Sequence, residues 1–281
     1  MKKSILLTGG TGFIGKNIIK NLNSKYNIFS LERKKKNKIY NFKSYSIVGF
    51  SDPDQISKII NNINIDYIIH AATYYKKKDN DVNLKQITKS NILLGMYLLN
   101  FCSEKKVIKF INFSTCWENY NDKKENPFNL YSATKLAFKK IINYHQKINK
   151  ITKFYNIYLM NTFGEDDNRI KIVSKIKKDI KNNRLTIITS NNLFLNLLNV
   201  KDIVHGIDLI LSKNLRPGDY NMVNNKHYAI NDIISEVCKK KKIKYKYLTK
   251  KIIYEKFFNL KKVKGWKPKF SKISDIVKAI V

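Results

Sequence analysis

The stretch Ile5-Leu-Leu-Thr-Gly-Gly-Thr-Gly-Phe-Ile-Gly-Lys-Asn17 (ILLTGGTGFIGKN) places three spaced glycines, Gly9, Gly12 and Gly15, between a short apolar run and a helical pattern. The run, Ser4 to Thr8, reads as a strand, and apolar residues at Ile18, Ile19 and Leu22 give the following segment, Gly15 to Leu22, one helical face. In that setting each glycine has a purpose. One permits the tight turn, one lets a diphosphate approach the backbone, and one allows close packing of helix on strand. The unpaired N–H groups and dipole at the helix N-terminus then favour phosphate. A dinucleotide cradle is therefore expected; the plainer alternative is a tight strand-to-helix turn with no ligand.

Outward from this turn the chain alternates strand and helix patterns. Tyr26 to Arg33 reads as a second strand, Ser44 to Phe50 as a third, Gln55 to Asn62 as a helix and Asp66 to Ala72 as a fourth strand. A helix over Asn83 to Cys102, a strand over Lys109 to Thr115, a long helix over Leu130 to Lys147 and a strand over Phe154 to Asn161 follow. Strands separated by helices imply parallel pairing with right-handed crossovers. The fold class expected is α/β, a Rossmann-type doubly wound parallel sheet. Residues 1–160 are assigned to the dinucleotide-binding domain and residues 161–281 to a smaller substrate-binding lobe, parts of which fold back on the sheet.

Composition restricts the function classes. The net charge of +34 raises the question of nucleic acid. The lysines, however, are spread over the chain, and only Arg33, Arg169, Arg184 and Arg216 offer the fork that suits bidentate phosphate or base recognition. No nucleic-acid partner is expected. Three cysteines without paired spacing give neither a disulfide framework nor a metal signature, and fit a reducing cytoplasm. No apolar run long enough for a membrane span or secretory signal occurs, so a soluble cytoplasmic protein is expected, with no metal.

The end of the second strand bears on the cofactor. An acidic residue there accepts hydrogen bonds from ribose hydroxyls, and a neighbouring basic residue accommodates a 2′-phosphate. Glu32 is followed by Arg33 and by Lys34, Lys35 and Lys36. In so lysine-rich a chain Arg33 carries more weight, which favours NADP(H) over NAD(H). Further on, Tyr131 and Lys135 stand four residues apart at the start of a predicted helix, and so share a face. An adjacent ammonium is expected to lower the pKa of the phenol and suit it to proton transfer. Ser114 and Thr115 end the fifth strand, where open α/β sheets bind ligands.

Together these parts resemble the extended short-chain dehydrogenase/reductase family of nucleotide-sugar epimerases, dehydratases and ketoreductases. The matching residues are Thr8 to Gly15, Ile69 to Ala72, Asn91, Ser114-Thr115, Tyr131 to Lys135 and Asn161 to Gly164, with weaker echoes at Val200 to Asp202 and Gly265 to Pro268. The resemblance implies Tyr131 as general acid/base, Lys135 as its electrostatic partner and Thr115 as the hydroxyl that orients the substrate. It places Gly9, Gly12, Phe13, Ile14, Gly15, Glu32, Arg33, Ala71, Ala72, Thr73, Asn91, Tyr131 and Lys135 around the cofactor. It places Thr73, Cys116, Trp117, Asn161 and Arg169 around the substrate. His70 reads as a packed strand-end histidine, Asn91 as a helix-interior hydrogen bonder and not a chemical participant, and Cys116 as a small buried residue and not a catalytic thiol.

Departures from the family pattern narrow the reaction. Dehydratases carry an Asp-Glu pair after the catalytic Thr, where this chain has Cys116 and Trp117, which argues against 4,6-dehydration. Ketoreductases of the GDP-fucose synthase type pair a cysteine after the Ser/Thr with a downstream histidine; Cys116 fits, but no histidine occurs between His145 and His205. The arginine that the family uses for the diphosphate is Leu195 here, with Asn196 after it, and Gly49 stands in place of an adenine-capping Asp. The expected activity is NAD(P)H-dependent reduction of a nucleotide-linked 4-keto-6-deoxy sugar at C4 in surface polysaccharide synthesis, by an enzyme that forms homodimers. A nucleotide-sugar 4-epimerase is the alternative, and a non-catalytic dinucleotide sensor the third.

Overall fold

A computed structural model describes residues 2–34, 39–41, 45–50, 52, 55–76 and 82–281; Lys35, Lys36 and Ser44 lie outside the described residues. The first part of the chain forms β1 (Ser4–Thr8), α1 (Phe13–Leu22), β2 (Asn27–Arg33), β3 (Ile39–Asn41), β4 (Ser46–Phe50), α2 (Ile56–Ile60), β5 (Tyr67–His70) and α3 (Leu84–Thr88). It continues through α4 (Leu94–Glu104), β6 (Lys109–Thr115), α5 (Leu130–Ile148) and β7 (Lys153–Leu159). The chain then adds β8 (Asn161–Phe163), α6 (Ile172–Lys181), β9 (Leu185–Ser190), β10 (Leu193–Leu195), β11 (Leu197–Asn199), α7 (Val200–Ser212) and β12 (Gly218–Asn221). It ends with β13 (Tyr228–Ala229), α8 (Ile230–Cys238), β14 (Lys244–Thr249), β15 (Ile253–Tyr254), β16 (Lys261–Lys262) and α9 (Ile273–Ile280).

The main sheet runs β16-β12-β7-β6-β5-β1-β2-β4-β3, parallel throughout except where β3 meets β4. The order reverses beside β1, where β2 lies on one side and β5 on the other, and this switch point opens a crevice at the strands' C-terminal ends. Strands covered on both faces read as continuous apolar runs, and β1 shows how. Ile5 and Leu7 join the core under α1 and α7, while Leu6 joins the core under α2, α4 and α5. The same alternation sends Ile69, Ile111 and Tyr155 to the first layer and Ile68, Phe110 and Phe154 to the second.

The helix expected over Asn83 to Cys102 is interrupted by a π-helical turn, Lys89–Leu93, that carries Asn91 inward. Beyond residue 161, β12 and β16 extend the main sheet through β7, while α6, α8 and α9 enclose a separate core with Phe163, Ile188, Leu195 and Leu197. Two buried polar anchors tie these parts together. The Lys109 ammonium donates to the carbonyls of Ile210, Leu211 and Lys213 at 2.7, 2.8 and 2.8 Å, and so caps the C-terminal end of α7. The Asp202 carboxylate accepts from Lys269 N at 2.7 Å and Ser271 Oγ at 2.6 Å, which pins the C-terminal segment to the start of α7. No helix among the described residues is long and apolar enough to cross a membrane.

Candidate active site

The turn after β1 is built by close approach. Gly9 has φ +74°, a left-handed conformation that glycine alone adopts without strain, and a Cβ there would sit 2.7 Å from Ala72 N. A Cβ at Gly15 would fall 2.1 Å from the Gly9 carbonyl oxygen, so the helix packs on the turn only without a side chain. Gly12 is less constrained, with 3.2 Å to the same oxygen. Gly10, which the spacing argument passed over, is tighter: its Cβ would meet Ser30 Oγ at 2.0 Å.

A cleft of about 680 Å³ runs over this turn, lined by Gly9 to Gly15, Glu32, Arg33, Ala71, Ala72 and Thr73. Glu32 is oriented by Ser30, whose hydroxyl donates to Oε1 at 2.9 Å, and its Oε2 lies 3.7 Å from Lys34 Nζ. The cleft opens into a cavity of about 220 Å³ lined by Thr73, Ser114, Thr115, Trp117, Tyr131, Lys135, Asn161 and Arg169. Ile14, Ala71, Thr73 and Arg169 line both, so the two are continuous.

Each catalytic candidate is positioned by local chemistry. Asn129 caps α5 by accepting from Ser132 N at 3.0 Å, while Ser132 Oγ accepts from Asn129 N at 3.0 Å, which fixes Tyr131 in the first turn. Lys135, one turn on, is buried. Thr115 ends β6, and its Oγ1 accepts from Trp117 N at 3.3 Å, which leaves its own proton for a ligand. The expected lowering of the Tyr131 pKa is corrected by the structure. Burial pushes the phenol up to about 12, the Glu118 charge adds to this, and Thr73 pulls weakly the other way. Lys135 itself is brought down to about 8 by burial, with Glu118 opposing. Tyr131 is thus a protonated phenol at neutral pH, suited to donate.

Two expected site residues line neither space. Asn91 is buried and saturated: Oδ1 accepts from Tyr74 N at 2.7 Å and Thr73 Oγ1 at 3.1 Å, and Nδ2 donates to Tyr74 O at 3.1 Å and Thr134 Oγ1 at 3.0 Å. With no capacity left for a cofactor, it instead clamps Thr73 and Tyr74 against α5. Cys116 also lies away from the substrate cavity. The chain turns into a 3-10 helix, Cys116–Glu118, which sends Cys116 into an apolar cluster with Tyr158 and Val223 and leaves Trp117 in the cavity. Burial pushes the Cys116 thiol up, so it stays a thiol. His70 accepts or donates at Nδ1 with Thr8 Oγ1, 2.9 Å away, and burial drives it down to about 3, which keeps it neutral beneath the turn.

Arg169 joins the two spaces. It pairs with Asp167 at 2.8 Å through both Nε and Nη2, donates to Thr162 Oγ1 at 2.8 Å, and stacks 4.3 Å from the Phe13 ring. Asn161 donates to Glu255 at 2.7 and 2.6 Å on the far wall. Leu195 is part of the core with Phe163, Ile176 and Ile230, so the family's arginine position cannot serve a diphosphate here. Sequence reasoning missed Tyr75 and Lys171, both in the cavity wall. The Tyr75 ring meets Tyr131 edge-on at 5.2 Å, and Lys171 Nζ lies 5.0 Å from the Tyr75 ring and 5.6 Å from Trp117. No spacing rule connects Tyr75 and Lys171 with Tyr131 and Trp117.

A glycine-turn cleft at the switch point that opens onto a Thr-Tyr-Lys cavity defines a dinucleotide-dependent site of the short-chain dehydrogenase/reductase kind. The chain belongs to the NAD dependent epimerase/dehydratase family, whose family model matches residues 5–223. It is 25% identical over 210 residues to a CDP-abequose synthase of Yersinia pseudotuberculosis, covering 74% of this chain and 73% of that one. It is 32% identical over 187 residues to an inverting UDP-N-acetylglucosamine 4,6-dehydratase of Campylobacter jejuni, covering 62% of this chain and 54% of that one. Its fold is that of the UDP-glucuronic acid 4-epimerase from Bacillus cereus solved with NAD, with TM-score 0.78, 19% identity, and coverage of 98% and 96% of the two chains.

Proposed function

We propose that the protein reduces a nucleotide-linked 4-keto-6-deoxy sugar at C4, with NADP(H) preferred over NAD(H), in the synthesis of surface polysaccharide. The observation that carries this reading is the pairing of a protonated Tyr131 with an uncommitted Thr115 hydroxyl in a cavity whose wall presents Trp117, and no carboxylate, after Thr115. Dehydration needs an acid and a base at that wall; ketone reduction needs one proton donor and one orienting hydroxyl. The likeness to a CDP-abequose synthase agrees with an activity on nucleotide sugars.

The cleft over Gly9 to Gly15, with Glu32 and Arg33, would hold the dinucleotide, which would bring hydride chemistry to the site. Thr115 donates a hydrogen bond to the carbonyl oxygen and fixes it within reach of Tyr131, and Tyr131 passes its proton to that oxygen as it becomes an alkoxide. The lysine beside it, Lys135, supplies the positive charge that stabilises the tyrosinate left behind. Lys171, set between Tyr75 and Trp117 and aided by Arg169, meets the substrate diphosphate in place of the arginine lost at Leu195. Glu32 takes ribose hydroxyls, and Arg33 a 2′-phosphate, Lys34 having partly neutralised Glu32.

The test is to mix the protein with NADPH and a panel of CDP-, UDP-, GDP- and dTDP-linked 4-keto-6-deoxyhexoses and follow the nicotinamide absorbance. Consumption with one of them, lost about 100-fold or more in Tyr131→Phe while NADPH still binds, is expected. Interconversion of a UDP-sugar without net NADPH consumption would instead identify a 4-epimerase.

A further inference from the structure

The two-stranded sheet of β9 and β14 lies apart from the main sheet, and one of its faces is turned outward. The strands run parallel, with Lys244 beside Leu185, Lys246 beside Ile187 and Tyr247 beside Ile188. Side chains alternate along each strand. Ile188 and Tyr247 therefore pack on the core that α6, α8 and α9 enclose. The opposite face carries Leu185 and Ile187 from β9, and Lys244, Lys246 and Leu248 from β14, all exposed. Leu185 is 51% exposed, Ile187 50% and Leu248 60%. Just beyond β14 stands Ile252, 72% exposed. Its loop is held to the end of β9, where Ser190 Oγ donates to Lys251 O at 2.6 Å and Asn192 Nδ2 to Lys250 O at 2.8 Å.

The charge around this face is of one sign. Residues 181–190 and 237–254, which contain the two strands and their ends, carry ten basic side chains and no acidic one, in a chain with 21 acidic residues against 55 basic. Elsewhere on the surface lysines meet carboxylates, as Lys3 meets Asp66, Lys25 meets Asp208 and Lys140 meets Glu125. Here Lys239 reaches Glu236, and among the described residues the other nine make no ion pair within 4.0 Å. Lysine on an edge strand deters pairing with another chain. That purpose covers Lys244 and Lys246. It does not cover the lysines at 239–242 and 250–251, or the outward Leu185 and Ile187 on the neighbouring strand.

We propose that this face docks the protein peripherally on an anionic lipid bilayer. Leu185, Ile187, Leu248 and Ile252 enter the boundary between headgroups and acyl chains, while the lysines lay their stems along it and keep their ammonium groups at the lipid phosphates. Each lysine near a negatively charged leaflet adds attraction, and the effect fades within a Debye length. An acidic protein would need a shape that seats single leucine and isoleucine side chains between lysines; a lipid interface accepts both without a fitted groove. Nucleic acid would take the lysines but leave the aliphatic side chains in water. Binding of this kind is independent of the reaction catalysed.

Vesicle flotation tests this. The unaltered protein is expected to float with vesicles of phosphatidylcholine containing about one-third phosphatidylglycerol in about 0.15 M salt, and to stay behind with phosphatidylcholine alone. Lys244→Glu/Lys246→Glu should weaken binding about 30-fold or more and flatten its salt dependence. Lys105→Glu/Lys147→Glu makes the same change in net charge at exposed lysines at the ends of α4 and α5, and should weaken binding no more than about threefold. Leu185→Ser/Ile187→Ser should weaken it about tenfold with the salt dependence unchanged. Lys250→Glu/Lys251→Glu repeats the charge test on the loop and alters neither strand, which keeps the test open should a strand variant misfold. Failure to float with the anionic vesicles overturns the proposal. Equal loss in the β14 and the α4/α5 charge variants also overturns it, because binding would then follow total charge and not this face. Tighter binding to polyglutamate or duplex DNA than to the vesicles assigns the face to another polyanion and overturns it as well.

Discussion

Gly10 offers a direct test of how the cofactor turn is held. A methyl group at this position would come within 2.0 Å of Ser30 Oγ, 3.1 Å of Ser30 Cβ and 3.2 Å of Ile19 Cδ1. Only the first of these is impossible, and Ser30 can relieve it only by turning its hydroxyl away. That rotation breaks the 2.9 Å bond to Glu32, a loss of about 1 kcal/mol. Squeezing the remaining contacts costs about 1–3 kcal/mol more. Gly10→Ala should therefore destabilise the protein by roughly 2–4 kcal/mol, seen as a fall in Tm of roughly 5–15 °C by scanning calorimetry. Adding Ser30→Ala removes the impossible contact and leaves only the two near 3 Å, so Gly10→Ala should cost less than half as much in that background. NADPH affinity should fall in both Ser30→Ala and Gly10→Ala, because Glu32 loses its orienting hydroxyl. Equal cost of Gly10→Ala with and without Ser30→Ala would refute the idea that Ser30 is what excludes a side chain at Gly10.

Two further perturbations probe other parts. Lys109→Met strands three carbonyls at the end of α7 and should cost about 3–5 kcal/mol in urea denaturation while leaving kcat unchanged; a loss under about 1 kcal/mol would mean that the carbonyls find other partners. Arg33→Ala should reduce the ratio of kcat/KM for NADPH over NADH about tenfold; an unchanged ratio removes Arg33 from 2′-phosphate recognition.

What was legible in the sequence follows from the reach of each constraint. The strand, turn and helix around Gly9 to Gly15 are one local unit, and Tyr131 and Lys135 are neighbours on one helix, so spacing alone joined them. Gly10 escaped because its limit comes from Ser30 on a different strand, whose pairing of Leu7 with Ser30 no window of sequence displays. Cys116 and Trp117 were both placed at the substrate because they follow Thr115. The strand does not continue, and the 3-10 turn gives the two residues opposite surroundings. The sign of the Tyr131 shift is the most instructive case. Reading Lys135 at i+4 suggests a cation that lowers the pKa of the phenol. Yet burial acts on both members, raising one and lowering the other, and it outweighs the charges around them. Glu118, three residues beyond Thr115 in sequence and unremarkable there, is buried at the end of the 3-10 turn, where its charge adds to the upward push on Tyr131 and opposes the downward push on Lys135. The acid strength of this site is thus a property of elements packed together, and a motif that names only Tyr and Lys describes its geometry without its charge.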